Sequence, residues 1–556
     1  MIFLRFFKWG AQKYFAELLG FATFVKMLKF AISIMRVRSI LFACVVAAGC
    51  ARGPASPVLE AVPRPVYDAC PEFVELYDKA WELAYQHIDT IPGIPAPIYM
   101  DEAHRSDRIW VWDTCLMGQF CKYCPGIFPG IESLDNFYGI LLSDASIPLP
   151  KVLGNKWCGK DEGKMLTLRV QHPDNPPLLA WTEYSYALQT GDKARLEKVF
   201  KEERYLQRWF EMFDSFDPSA RRPHGAGIKV ALQKHGNGYA WGGNQSGMDN
   251  TPRGRTSSPT PRKACPENPD LRWVDALAQQ GISALCMSRI AALLGDSDQA
   301  ACWQNIHSAL SEKLNALYWD EADGFYYDIL DGGEKCKVKT IASWWPVMAG
   351  MADSSRAARM IGHLREPAEF GGDFPTPSLS RADEDFIADG GYWRGSIWLP
   401  TTYMALKATD LIGEYDLARE IGLAILKQMY RTYADYEPHT IWECYSPTAN
   451  EPARNKQGEV VRPDFCGWSA LGPISIFIED VIGIKEANAF ENTLMCDFEK
   501  HPKGKVGVKN YRFGEVVCTI IATEKDIKVS SNLPFTLIAD GREFNVRTGK
   551  NSWRRL

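Results

Sequence analysis

Between about residue 70 and residue 485 the chain alternates two kinds of connection, and that alternation limits the folds open to it more than any other feature. Apolar residues recur at helical spacing in about twelve segments: 71–88, 110–122, 133–143, 176–190, 192–214, 272–294, 297–318, 342–351, 354–364, 394–412, 414–432 and 466–483. The eleventh is typical, with Leu417, Ile421, Ala424, Ile425 and Met429 on one face. Connections after the fourth, sixth, eighth and tenth segments are one or two residues long, and the one after the second is about ten. Those after the odd segments are all about twenty or longer and rich in Gly, Pro, Asn and Asp. Helices joined by short turns run antiparallel, so every long loop leaves from the same end. Twelve helices alternating up and down close into a ring of six hairpins. One mouth of that ring carries all the long loops, and long ordered loops on a rigid scaffold are where function sits.

The flanks read differently. Met35-Arg36-Val37-Arg38, an apolar run over 40–46 and then Ala47-Ala48-Gly49-Cys50 have the layout of a bacterial signal peptide. Cys50 after small residues resembles a lipobox, with Ala47 where Leu is usual, so Cys50 is the expected lipidation site. The run is too short to span a bilayer. Residues 1–49 are therefore read as signal and extension, 50–65, with its prolines, as a lipidated tether, and 66–485 as the helical domain. From 486 onward short alternating runs at 506–508, 516–522, 527–530 and 535–538, broken by turns such as Asp540-Gly541, predict a small antiparallel β domain over 486–556. The expected location is outside the cytoplasm, as a periplasmic or outer-membrane lipoprotein of a bacterium.

Charge excludes some partners. The formal net charge is −5. Removing 1–49, which carries an excess of six positive charges, leaves about −11. So acidic a chain suits neither nucleic acid nor anionic lipid, and membrane contact is expected only through the N-terminal lipid. The 15 Cys are spread along the chain, which argues against a dense disulfide framework in a domain this large. Cys121-Lys122-Tyr123-Cys124 is a lone C-x-x-C without a second pair at zinc spacing and reads as packing. No metal motif stands out, so no cofactor is expected beyond a structural Ca2+. The 18 Trp fit a large core and also fit flat rings that stack on sugars.

Two acidic residues stand apart by their setting. Asp249 lies in Ser246-Gly247-Met248-Asp249-Asn250-Thr251-Pro252-Arg253, in the loop after the fifth helix, and Glu443 in Thr440-Ile441-Trp442-Glu443-Cys444-Tyr445, in the loop after the eleventh. Both loops leave the same mouth, half a ring apart. Cleaving a glycosidic bond takes two carboxyl groups on opposite faces of that bond, one to protonate the leaving oxygen and one to activate water. These two segments, with Trp112-Asp113-Thr114, Gly391-Tyr392-Trp393-Arg394-Gly395-Ser396-Ile397-Trp398 and Phe465-x-Gly467-Trp468-Ser469, resemble glycoside hydrolase family 63 and its trehalase and mannosylglycerate hydrolase relatives, in the family's order. The resemblance implies an (α/α)6 barrel, Asp249 as general acid and Glu443 as general base. It also implies substrate contacts from Trp112, Asp113, Gln171, Trp393, Arg394, Trp398 and Trp468. Asp113 is equally readable as an acid at a helix start, Arg394 as a buried structural residue, and Trp398, on the helix face expected for Arg394, as core.

Relatives commonly have Glu-Ser-Gly-Trp-Asp where this chain has Gln245-Ser246-Gly247-Met248-Asp249, and a Gly at Ala449-Asn450, so the neighbours of the carboxylates differ. The expected function is an exo-acting, inverting hydrolase of an α-glycosidic bond, foremost an α-glucosidase acting on a disaccharide or oligosaccharide. A trehalase-like or α-mannosyl hydrolase on the same scaffold is the enzyme alternative. A noncatalytic glycan-binding lipoprotein is the alternative of another class, disfavoured because a binder has no need of opposed carboxylates.

Overall fold

Twelve helical segments form in the expected order. The computed structural model describes residues 57–102, 108–142, 156–158, 165–169, 178–214, 222–224, 227–229, 233–264, 266 and 268–555. The segments are α1 (Glu72–Gln86), α2 (Val111–Cys121), α3 (Asp135–Leu142), α4 (Leu179–Thr190), α5 (Tyr205–Asp214), α6 (Val274–Leu293), α7 (Ser297–Leu317), α8 (a 3-10 turn Ile341–Trp344 running into Trp345–Met348), α9 (Ser354–Arg365), α10 (Leu399–Leu411), α11 (Tyr415–Asp435) and α12 (a 3-10 turn Ser469–Leu471 running into the wider-wound Gly472–Ile482).

Burial separates two rings. Every residue of α2 is buried, and so is every residue of α12. Helices buried on all sides have to be surrounded by other elements. By contrast α7 buries only Trp303, His307, Leu310 and Leu314, and α9 only Ala357, Met360, Ile361 and Leu364, one stripe in each case. The even helices pack in sequence, α2 on α4, α4 on α6, α6 on α8, α8 on α10, α10 on α12, and α12 back on α2. The inner ring is thereby closed, and the architecture is an (α/α)6 barrel. The N-termini of these inner helices receive the long loops, so the loop-bearing mouth is also the one toward which the positive ends of their dipoles point.

Two helices differ from expectation. The segment 192–214 is broken: Lys193–Leu196 continues as a wide turn Glu197–Glu202, and Arg204 at φ 55° resets the direction before α5. α10 begins at Leu399 rather than at 394, because Gly390, Gly391 and Tyr392 hold positive φ (101°, 50° and 67°) and wind the chain into a turn. Arg394 therefore shares no helix face with Trp398, which is the N-cap residue of α10.

The C-terminal strands form two sheets. One has the order β1 (Arg64–Tyr67), β4 (Val506–Phe513), β5 (Val516–Ala522), β6 (Asp526–Ser531), β9 (Gly549–Arg554); the other has β2 (Ile484–Asn488), β3 (Thr493–Cys496), β7 (Phe535–Ala539), β8 (Arg542–Val546). All pairings are antiparallel except that of β3 with β7. Arg64 and Pro65, read as the end of a tether, instead begin an edge strand that pairs with 506–509. Phe477 of α12 sits edge-on to Tyr67 of β1 and to Phe73 and Tyr77 of α1, with ring centroids 6.0–6.3 Å apart, which seals the sheet to the barrel. Residues Ala61–Leu556 accordingly form one unit.

Cys121 and Cys124 are buried and unbridged, as packing requires. Among the described residues no helix is long and apolar enough to cross a membrane. Cys50, with the signal segment, and Gln171 lie outside the described residues.

Candidate active site

The loop 436–468 delivers Glu443 on an extended stretch. Tyr445 exchanges backbone hydrogen bonds with Ile397 (2.9 and 3.0 Å), and the Glu443 N–H donates to the carbonyl of Arg462 (3.0 Å). The carbonyl of Glu443 accepts from Trp468 Nε1 (3.3 Å) and from Ser469 Oγ (3.1 Å) at the start of α12. Its carboxyl accepts the Tyr392 hydroxyl (2.9 Å) and meets the backbone N–H of Arg462 at 3.5 Å. The side chain is 4% exposed. A carboxyl group held at both its backbone and its oxygens keeps one orientation.

Asp249 follows a tight approach. Gly247, at φ 82°, lies so close to the Trp112 ring that a Cβ there would fall 1.5 Å from a ring carbon, so no other residue fits. Asn250 then ties the loop to the turn before α10. Its Nδ2 donates to the carbonyls of Arg262 and Gly391 (2.8 and 2.9 Å), and its Oδ1 accepts the Trp393 N–H (2.9 Å). Arg253 lies fully buried between Asp275 and Asp328, with four contacts of 2.6–2.8 Å and the Trp273 ring 4.2 Å away. Asp249 itself is a third exposed and pairs with Lys456 Nζ at 3.2 Å. That ammonium lies 5.7 Å from the Tyr392 ring centroid, so Asp249, Lys456, Tyr392 and Glu443 make a continuous chain across the mouth.

These groups also bear on one another's ionisation. Burial raises Glu443 to about 7, with Asp249 adding to the rise and the Tyr392 hydroxyl, the Arg462 N–H and Lys456 opposing it. Asp113 at the start of α2 stands well above the usual carboxylate range, first through burial and then through Glu443 and Asp249. Glu102 is raised by burial, Asp113 and Asp101, and accepts the Trp110 N–H at 2.7 Å. Asp113, Asp249 and Glu443 thus act on one another's charge, and Asp113 acts on that of Glu102.

The aromatic residues divide by role. Trp112 stacks on Trp393 (6.1 Å, 25°) and tilts against Trp468 (5.7 Å). Trp393 lies flat on Trp398 at 4.1 Å. Trp393 and Trp398 are buried, the latter donating Nε1 to the Tyr392 carbonyl (3.2 Å), so Trp398 takes the core reading. Arg394 is wholly buried: Nε donates to the Asn250 carbonyl (2.8 Å), the terminal nitrogens to the Thr260 and Ala264 carbonyls (3.3 and 2.8 Å), and Asp385 lies 3.4 Å away. It is a clamp on the loop carrying Asp249 rather than a sugar contact, as its donors are turned to backbone oxygens. Tyr392 and Lys456 escaped the sequence reading. Tyr392 stood inside a quoted motif, with no sign of its unusual φ, and Lys456 lies in a turn whose sequence signals only Gly458. Among the described residues no group of His, Cys, Asp and Glu is placed to hold a metal ion.

An (α/α)6 barrel with carboxyl groups gathered at its loop-bearing mouth is the framework of a glycoside hydrolase. Residues 161–459 match the mannosylglycerate hydrolase MGH1-like glycoside hydrolase domain, and the chain belongs to that family, within glycoside hydrolase family 63. It is 25% identical over 383 residues to an uncharacterized protein of Borreliella burgdorferi, covering 68% of this chain and 72% of that one. It is 27% identical over 247 residues to the mannosyl-oligosaccharide glucosidase of Saccharomyces cerevisiae, covering 41% of this chain and 27% of the glucosidase, little more than a quarter of the yeast enzyme. In fold it is similar to the family 63 mannosylglycerate hydrolase of Thermus thermophilus in complex with glucose (TM-score 0.51, 19% identity, 72% of this chain and 99% of that one). It is also similar to a sialidase (TM-score 0.60, 13% identity, 90% of this chain and 40% of that one).

The Tyr392 hydroxyl favours the charged form of Glu443, so Tyr392→Phe will move the Glu443 titration upward from about 7, by about one pH unit. Infrared difference spectra against Glu443→Gln, followed through the carboxyl band, measure it. A midpoint that stays put or falls contradicts the hydrogen bond.

Proposed function

We propose that the protein is an exo-acting, inverting glycoside hydrolase of an α-glycosidic bond, foremost an α-glucosidase on di- or oligosaccharides, with Asp249 as general acid and Glu443 as general base. The observation that carries the reading is the convergence of Asp249 and Glu443 from loops rooted half a ring apart, with separate partners, Lys456 and Tyr392, on the two carboxyl groups. Loops rooted half a ring apart favour the separation of about 6.5–9.5 Å that leaves room for a water molecule on the far side of the sugar. Glu443, raised to about 7, is a basic carboxylate once ionised, suited to taking a proton from water. Lys456 has to leave Asp249 for that residue to carry a proton, and a leaving group seated there would displace it. The loops crowding one mouth favour a chain end over mid-chain cleavage. The yeast relative's name, mannosyl-oligosaccharide glucosidase, supports glucose as the sugar.

The raised Glu443 also favours a second reading in which the roles are exchanged, since a general acid profits from a high pKa. Asp249→Asn and Glu443→Gln should each lower kcat on an α-linked disaccharide by roughly a hundredfold or more in folded protein. α-Glucosyl fluoride, whose leaving group needs no proton, separates the readings. Asp249→Asn should turn it over at a rate near that of the wild type, and Glu443→Gln should not. The opposite pattern exchanges the roles, and near-wild-type disaccharide turnover by both variants removes Asp249 and Glu443 from the chemistry.

We also propose export of the barrel on a lipid attached to Cys50, supported by the basic and apolar residues ahead of Ala47-Ala48-Gly49-Cys50. A palmitate analogue supplied to cells should label the wild type and spare Cys50→Ala. Equal labelling of the two would overturn the anchor.

A further inference from the structure

The barrel has a cavity at the end opposite the carboxylates. The C-terminal halves of all six inner helices reach it, through Lys122, Ser185, Arg289, Met348, Lys407 and Glu479, and β2 and Tyr511 of β4 complete its wall. Its volume is about 200 Å3, small against the few hundred Å3 of a drug-sized site.

The polar groups in it are not equivalent. Glu479 is saturated: Lys122 and Lys407 pair with it at 3.2 and 2.9 Å, and Tyr403 donates to it at 2.8 Å, as does Tyr123. Lys407 and Lys485 are turned back onto Asp410 and Asp480. Together these pairs form a neutralised, rigid floor against the negative helix ends. Two groups above the floor retain capacity. Lys122 commits two of its three donors, to Glu479 and to Ser185 Oγ (3.2 Å). Gln119 is 1% exposed, and while its Nε2 reaches Thr182 Oγ1 at 3.4 Å, its Oε1 is buried without a partner. A buried amide oxygen left unpaired is unfavourable, and a donor brought to it removes that penalty. Beside them stands a flat apolar wall, the half-buried Trp181 ring tilted against Tyr403 at 6.2 Å, facing Ile282 and Leu285.

A simple anion would satisfy Lys122 but not Gln119 Oε1, which needs a donor. An apolar ligand would satisfy neither. A neutral polyhydroxylated ring offers donors and acceptors at its edge and C–H groups on its face, which matches all three features. We infer that this cavity is a second carbohydrate site, separate from the catalytic mouth, that takes a single neutral pyranose stacked on Trp181 and hydrogen-bonded to Gln119 and Lys122. The inference uses none of the catalytic assignments, so it stands or falls apart from them.

Calorimetric titration of the full chain with D-glucose tests it. Binding is expected, and Trp181→Ala should weaken one event about tenfold while leaving hydrolytic turnover unchanged. No binding by the wild type, or a titration that folded Trp181→Ala leaves unaltered, overturns the site. Should Trp181→Ala fail to fold, wild-type crystals soaked in D-glucose decide. Sugar density against Trp181 supports the inference. Its absence, or binding of inorganic phosphate there in place of the sugar, overturns it.

Discussion

Two arginines shut away from water hold the loop that carries Asp249. Arg253 is gripped by Asp275 at the start of α6 and by Asp328, and Arg394 grips the carbonyls of Asn250, Thr260 and Ala264. Asp249 directly precedes the first of these fixed points, Asn250. A buried guanidinium needs every donor satisfied, so the backbone it binds cannot drift without stranding a charge. Removing one partner of such a pair typically costs about 3–5 kcal/mol. Farther out, Arg255 on Asp383 and Asp385, and Arg262 on Asp389 and the Asn455 carbonyl, tie the same loop to the segment bearing Lys456. The loop carrying Asp249 is therefore part of the scaffold, although the helix among its described residues, Gly243–Ser246, is a single turn.

The two carboxylates are held by different means, and the difference bears on their chemistry. Glu443 is buried and its environment raises it toward neutrality, while Asp249 is a third exposed and faces a flexible ammonium. Lysine reaches and releases partners easily because its charge sits on a long flexible stem. On the proposed reading, an approaching substrate meets one carboxyl group preset by the fold and one whose partner has to move.

Much of this was legible in the chain. Alternating loop lengths and helical periodicity pointed to a ring of six hairpins, and the resemblance to family 63 implied the (α/α)6 barrel. Motif order singled out Asp249 and Glu443. What the sequence hid was backbone conformation and side-chain direction. The run 390–398 has helical-looking spacing, yet positive φ at Gly390, Gly391 and Tyr392 turns it into a loop, which points Arg394 and Trp398 into the protein and the Tyr392 hydroxyl onto Glu443. Lys456 reaches Asp249 across 207 positions of sequence, a contact no local pattern encodes. The strand Arg64–Tyr67 was hidden for the same reason, because its partner lies at the far end of the chain.

The central claim is that opposed carboxylates admit water to the anomeric carbon and invert its configuration. Proton NMR over the first minutes of hydrolysis of an α-linked disaccharide, before mutarotation, reads this directly. The account predicts that the β-anomer appears first. First release of the α-anomer would mean direct attack and a covalent intermediate, with the two groups about 5–5.5 Å apart, and would contradict both the mechanism and the role of Glu443.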